Sequence, residues 1–125
     1  MAAPDPDLDR LWNDFHAVVN MASPELTGWL GIAPDDPMEY VILPEVDLAE
    51  LGRHVLHVLQ VRRVDLTDAD TDVMRQVIDL ASGLLADPPE RDAADDRWRH
   101  TLMSLGHDPL RADSPRGADA EALRV

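Results

Sequence analysis

Two histidines near the middle of the chain have a spacing that could support metal chemistry. His54 and His57 lie one turn apart in a segment with helical periodicity, so both imidazoles could reach one ion. A zinc site needs a third protein ligand, which could come from His16, His100 or His107, and no spacing selects among them. No glutamate follows as in the metalloprotease helix motif. A metal-dependent enzyme using His54 and His57 is therefore only an alternative, and we expect no cofactor.

The same segment is the one basic stretch of an acidic chain, because no acidic residue lies between Leu51 and Val64. The side chains there that could contact phosphates or base edges are Arg53, His57, Gln60, Arg62 and Arg63. DNA binding through this Arg/His patch is a second alternative. We favour pairing of these arginines with nearby acids such as Asp65, Asp68 and Asp72, since a net-acidic domain repels phosphate.

Other patterns that could carry catalysis are weak or missing. His107 and Asp108 could form an acid–base pair, but adjacent residues rarely face each other, and a turn that fixes the exit of the chain is the favoured role of residues 106–110. The sequence has no cysteine, no glycine-rich phosphate loop and no nucleophile elbow. We therefore expect a protein that is not an enzyme.

The composition limits which classes of protein this chain can belong to. The 125 residues carry a formal net charge of -14. The sequence has eleven arginines and no lysine. Such a charge favours solubility and repels nucleic acid overall. No apolar stretch approaches the length of a membrane span, and the N-terminus lacks the pattern of a secretory signal. We expect a single cytoplasmic domain with no membrane partner.

The segment from Leu66 to Ala86 is the most clearly delimited element. Thr67 is predicted to be the N-cap, with Asp68 and Asp70 as solvated carboxylates in the first turn. Apolar residues then recur at helical spacing, and two prolines after Asp87 end the helix.

The remaining segments are also predicted to be helical, apart from two connections. Residues 32–46 contain three prolines and form a loop, extended near Tyr40 to Leu43, and residues 87–94 form a linker. The other helices span about Pro6 to Asn20, Ser23 to Gly31 and Asp47 to Arg62, with a last helix from about Asp95 to its terminator Gly106.

These segments predict an all-α fold. We expect a small single-domain bundle of four main helices, one of them short, over residues 1–110, followed by a disordered tail over residues 111–125. Trp12 and Trp29 are expected to pack against each other where the first two helices meet. The predicted core residues are Trp12, Phe15, Trp29, Leu51, Val55, Val77, Ile78 and Trp98.

Three blocks of the sequence resemble a known family. They are LWNDFHAVVNMASPELTGWL at 11–30, GRHVLHVLQVRRVDLTDADTDVMRQVID at 52–79, and WRHTLMSLGHDPL at 98–110. They are similar to a family of short bacterial proteins known only as a domain of unknown function, whose members often carry the label "DNA-binding protein". The resemblance implies no catalytic residues. Similar members have lysines around the third and fourth helices, where this chain has Gln60, Val61 and Gln76.

The favoured function is non-catalytic binding of another protein or of a second copy of this chain. A helix-turn-helix role for the first two helices is disfavoured, because the outward residues of the second are Glu25, Thr27 and Gly28, which do not read bases. DNA binding through the Arg/His patch and metal-dependent catalysis remain the two alternatives.

Overall fold

The computed structural model describes residues 6–87 and 96–110, and these residues form helices and turns without any strand. Two single 3₁₀ turns, Pro37–Glu39 and Arg63–Asp65, lie between helices. The five helices are α1 (Pro6–Val18), α2 (Ser23–Ile32), α3 (Leu48–Gln60), α4 (Asp68–Ala86) and α5 (Asp96–Ser104). The all-α prediction is confirmed. The count of four main helices is wrong, because five helices form, including the short helices α2 and α5. The predicted tail and all but the first residue of the predicted linker lie outside the described residues.

The starts of α3 and α4 follow the predicted capping chemistry, whereas the N-cap of α2 is Ala22, one residue before Ser23, and its side chain makes no capping bond. The Thr67 hydroxyl accepts a hydrogen bond from the Asp70 amide at 3.2 Å, and the Asp70 carboxylate accepts one from the Thr67 amide at 3.0 Å. The two residues form a capping box, which satisfies amides that a helix start leaves unpaired. At the start of α3, the Asp47 carboxylate accepts a bond from the Glu50 amide at 3.1 Å.

Three helix ends differ slightly from the prediction, each for a local reason. α1 ends at Val18 because the Asn20 side chain bonds to the backbone of Asp108 instead. α2 runs through Gly31 to Ile32, and Pro34 forces the preceding residue out of the helical conformation. α3 ends at Gln60 because the chain turns into the 3₁₀ turn at Arg63–Asp65.

The core lies where α1 packs along α4 and where α3 contacts α2, α4 and α5. Each of these helices contributes its apolar face to one continuous cluster. Of the residues expected in the core, the buried ones are Phe15, Leu51, Val55, Val77, Ile78 and Trp98.

Trp12 and Trp29 lie at the edge of the core and are only half-buried. The Trp12 ring is 4.3 Å from the His16 ring, measured between centroids, and the Trp29 ring is 5.3 Å from that of His100. Trp29 also donates a hydrogen bond from its indole nitrogen to the Ser104 hydroxyl at 3.0 Å. The expected packing of the two tryptophans is therefore replaced by packing of α2 on α3 and α5.

Residues 106–108 lock the turn between α1 and α2. The Gly106 carbonyl accepts a hydrogen bond from the Met21 amide at 3.1 Å, and His107 is fully buried and donates to the Val18 carbonyl. Gly106 has φ 90°, and a Cβ there would lie 2.9 Å from Cγ1 of Val19. The segment therefore has the structural role expected of it, and glycine is required at this position.

Gly52 allows α3 and α5 to approach closely. A Cβ at this position would lie 2.7 Å from the Ser104 carbonyl oxygen and 3.0 Å from Cδ2 of Leu30. Because backbone atoms cannot move aside like the end of a flexible side chain, only glycine fits this contact.

Within residues 6–87 and 96–110, every helix is too short or too polar to cross a lipid bilayer.

Candidate functional site

The two histidines singled out by their spacing converge on one buried carboxylate. Nε2 of His54 donates a hydrogen bond to Oδ1 of Asp70 at 2.8 Å, and Nε2 of His57 lies 3.6 Å from the same oxygen. Only 3% of Asp70 is exposed. We call His54, His57, Thr67 and Asp70 the Asp70 clasp, because together they join α3 to the first turn of α4.

Hydrogen bonds make the carboxylate of Asp70 more acidic than usual. The amide of Thr67 has the largest effect, and the imidazole of His54 and the hydroxyl of Thr67 add to it, so that the pKa of Asp70 is lowered despite burial. The expectation that Asp70 is a solvated carboxylate was wrong. Its position in a capping box was visible in the sequence, but its burial was not, because that depends on how α3 crosses α4.

His54 and His57, the two predicted metal ligands, meet at the clasp, but none of the three candidates for a third ligand joins them. Each of the three candidates for a third ligand donates its Nδ1 proton to a backbone carbonyl elsewhere: His16 to Trp12, His100 to Glu39 and His107 to Val18. Among the described residues, no group of three or more histidine, cysteine, aspartate or glutamate side chains is arranged to hold a metal ion.

The three arginines of the Arg/His patch each contact a carboxylate. Arg53 lies 2.7 Å from Glu50 and Arg62 lies 2.8 Å from Asp65. Arg63 reaches across to α1, where Asp9 is 2.8 Å away. His57 and Gln60 are exposed beside them.

Of the acids expected to pair with these arginines, Asp65 contacts Arg62, whereas Asp72 lies 3.4 Å from Arg75 instead. Asp9, the partner of Arg63, was not among the acids named. A phosphate would have to compete with these carboxylates for the same guanidinium groups.

A cavity of about 590 Å³ lies between the end of α2, the start of α3 and residues 33–47. We call it the loop groove. Most of its lining is aliphatic, and the polar side chains that reach it come from Asp35, Tyr40, Asp47, Arg53 and Ser104. Pockets of this size, apolar with a few polar groups, are typical of binding sites.

The loop that forms the groove is held by one hydrogen bond within the loop and by two hydrogen bonds to α5. The Tyr40 hydroxyl donates to the Pro34 carbonyl, and the Val41 amide donates to Oγ1 of Thr101 at 2.9 Å. His100 donates to the Glu39 carbonyl at 3.0 Å. The prolines keep this segment out of a helix, and these bonds hold it in place without strand pairing.

Large apolar side chains are exposed around this loop. Ile32 is 79% exposed, Met38 is 74% exposed, and Ile42, which lines the groove, is 86% exposed. These are three of the five exposed large hydrophobic residues in the described part of the chain. The sequence did not point to this exposed cluster, because a proline-rich loop has no periodicity that separates a buried side from an exposed one.

The comparisons with known proteins give a family without a described activity. Residues 14–103 match a family model described as "Protein of unknown function (DUF3140)". No curated protein and no solved structure matches the chain. The match covers more than half of the 125 residues and agrees with the resemblance noted in the sequence. This chain therefore belongs to the DUF3140 family of proteins of unknown function.

Proposed function

We propose that this protein is a non-catalytic binding module that docks a segment of another protein in the loop groove. The observation that carries the proposal is the exposure of Ile32, Met38 and Ile42 within eleven residues, next to an apolar cavity. Covering one such side chain with a partner is worth roughly 1.5–3 kcal/mol. Exposed apolar residues grouped around a concave surface are typical of interaction sites.

The charge of the chain favours a different protein over a second copy as the occupant. Two copies would each bring a net charge of -14, and each groove carries Asp35 and Asp47. Like charges brought together at an interface oppose association. A partner with the opposite charge meets no such barrier.

A matched pair of variants tests the groove. Ile42→Asp places a charge in the groove, and Val64→Asp places the same charge at a residue that is 79% exposed but does not line the groove. The wild type and both variants are immobilised and used to capture proteins from an extract of the source organism, with quantification by mass spectrometry. We expect at least one protein to be retained by the wild type and Val64→Asp and lost by Ile42→Asp.

Two results would contradict the proposal. One is an identical set of captured proteins on all three baits, which would leave the groove without a role in binding. The other is a wild-type dimer in analytical ultracentrifugation that Ile42→Asp dissociates, which would make a second copy of this chain the occupant.

The two alternative functions have no comparable support. DNA binding would require Arg53, Arg62 and Arg63 to exchange their carboxylate partners for phosphates. Fluorescence anisotropy of a labelled duplex at low salt tests this directly, and we expect no binding. For the metal alternative, elemental analysis of the purified protein is expected to find no stoichiometric zinc or iron.

A further inference from the structure

We infer that the segment docked in the loop groove is basic, with arginine or lysine next to an apolar anchor side chain. This inference rests on the proposed function and names the chemistry of the partner. The anchor would pack against the apolar lining of the groove, and the basic residues would pair with the acidic side chains around it.

The groove is bordered by acidic residues with little positive charge to balance them. Between residues 33 and 50 the sequence contains no arginine, lysine or histidine. The acidic residues in this range are Asp35, Asp36, Glu39, Glu45, Asp47 and Glu50. Arg53 is the cationic side chain that reaches the groove, and its guanidinium contacts Glu50 at 2.7 Å. Of these acids, Asp35 and Asp47 line the cavity itself and the others lie in or next to the chain segment that forms it, so the charge around the cavity is net negative.

The pKa of Tyr40, which lines the groove, is affected by burial and by these negative charges. Burial has the largest effect on its phenol and raises its pKa, and the negative charges of Asp35 and Glu39 raise the pKa further. Since Asp35 also lines the cavity, a cation entering the groove would be attracted by the same carboxylate.

The tail of this chain is a poor candidate for the occupant. Residues 111–125 contain three arginines and three acidic residues, so they carry no net positive charge. A segment of another protein with an excess of arginine or lysine complements the groove better.

Selection from a random peptide library tests this chemistry without a known partner. Phage-displayed peptides are selected on the wild-type protein and depleted on Ile42→Asp, so that the survivors bind at the groove. We expect the survivors to combine aliphatic or aromatic residues with an excess of arginine and lysine over the starting library.

A charge-only variant then tests the acidic border with one selected peptide. Asp35, Asp36 and Asp47 are all changed to Asn, which removes three charges. Asn keeps the capping roles of Asp36 and Asp47, whose side chains accept bonds from backbone amides. The matched control changes three exposed acids of the α4 region to Asn, at Asp72, Asp79 and Asp87. We expect the first variant to weaken peptide binding about tenfold at low salt and the control to change it about twofold or less.

The outcomes separate this inference from the proposed function. Peptides that bind the groove but carry no basic excess, or whose affinity the first triple variant leaves unchanged, would overturn the basic partner and leave the docking function standing. A selection in which depletion on Ile42→Asp removes every peptide that binds the wild type would overturn both.

Discussion

The Asp70 clasp and the loop groove both involve residues of α3, but they differ in which side chains are buried and which are exposed. In the clasp, a carboxylate that is 3% exposed receives hydrogen bonds from His54 and Thr67. In the groove, Ile42 is 86% exposed and lines a cavity of about 590 Å³. The clasp satisfies a buried polar group within the fold, whereas the groove leaves apolar surface uncovered.

This difference separates residues that stabilise the fold from residues that are available to a partner. A buried carboxylate is costly unless it is hydrogen-bonded, so the clasp has to be complete before the protein is stable. An exposed isoleucine contributes little to folding, and exposed apolar residues that are grouped are typical of interaction sites. Substitutions in the two regions should therefore have different consequences.

The largest expected effect is at Gly52, where α3 packs closely against Ser104 and Leu30 next to the groove. Gly52→Ala places a Cβ 2.7 Å from the Ser104 carbonyl oxygen, and both Ser104 and Leu30 line the groove. Forcing α3 and α5 apart is expected to lower the free energy of unfolding by about 2–3 kcal/mol, as measured by urea denaturation. Amide NMR shifts should change more at Leu30 and Ser104 than at Thr67 and Asp70.

The control for this substitution is Gly28→Ala. Gly28 lies within α2, and a Cβ there would meet nothing within 4 Å. Alanine is the better helix former, so we expect an unfolding free energy unchanged or higher by up to about 1 kcal/mol. Equal losses from both substitutions would show that the approach of α3 to α5 does not need glycine.

The next largest effect is expected from removing the carboxylate of the clasp. Asp70→Ala leaves the Thr67 amide and the His54 imidazole without their acceptor and should cost about 1–3 kcal/mol in urea denaturation. Asp68→Ala removes an exposed carboxylate from the same helical turn and should cost less than about 1 kcal/mol. A loss at Asp70 no larger than that at Asp68 would contradict the structural role of the clasp.

The clasp also predicts how stability depends on pH. The pKa of Asp70 is lowered in the folded state, chiefly by the Thr67 amide and also by His54. The resulting stability is fully present above the unfolded pKa of about 3.9 and is lost as the pH falls through the lower folded value. Asp70→Asn should therefore lose less stability than the wild type between about pH 5 and pH 2, whereas Asp68→Asn should follow the wild type. Urea midpoints across this range provide the measurement, and parallel curves for all three proteins would contradict the prediction.

The two regions also differ in how far the sequence predicted them. Capping residues and apolar periodicity are local patterns, so the start of α4 at Thr67 and the turn at Gly106 were predicted correctly. The burial of Asp70 and the close approach at Gly52 depend on which helices cross, and no local pattern encodes that. The groove depends on a loop held by bonds such as that from Val41 to Thr101, sixty residues away in the chain.

The smallest expected effect is at the exposed residues of the groove. Met38→Ser and Ile42→Ser should each change the free energy of unfolding by less than about 0.5 kcal/mol, because neither side chain is covered in the folded protein. A partner bound by the wild type should nevertheless be lost, and that combination is what distinguishes an interaction surface from part of the core. A loss of more than about 1 kcal/mol at Ile42 would instead mean that this side chain packs in the folded state. The contrast with Asp70 would then disappear, since both regions would serve stability alone.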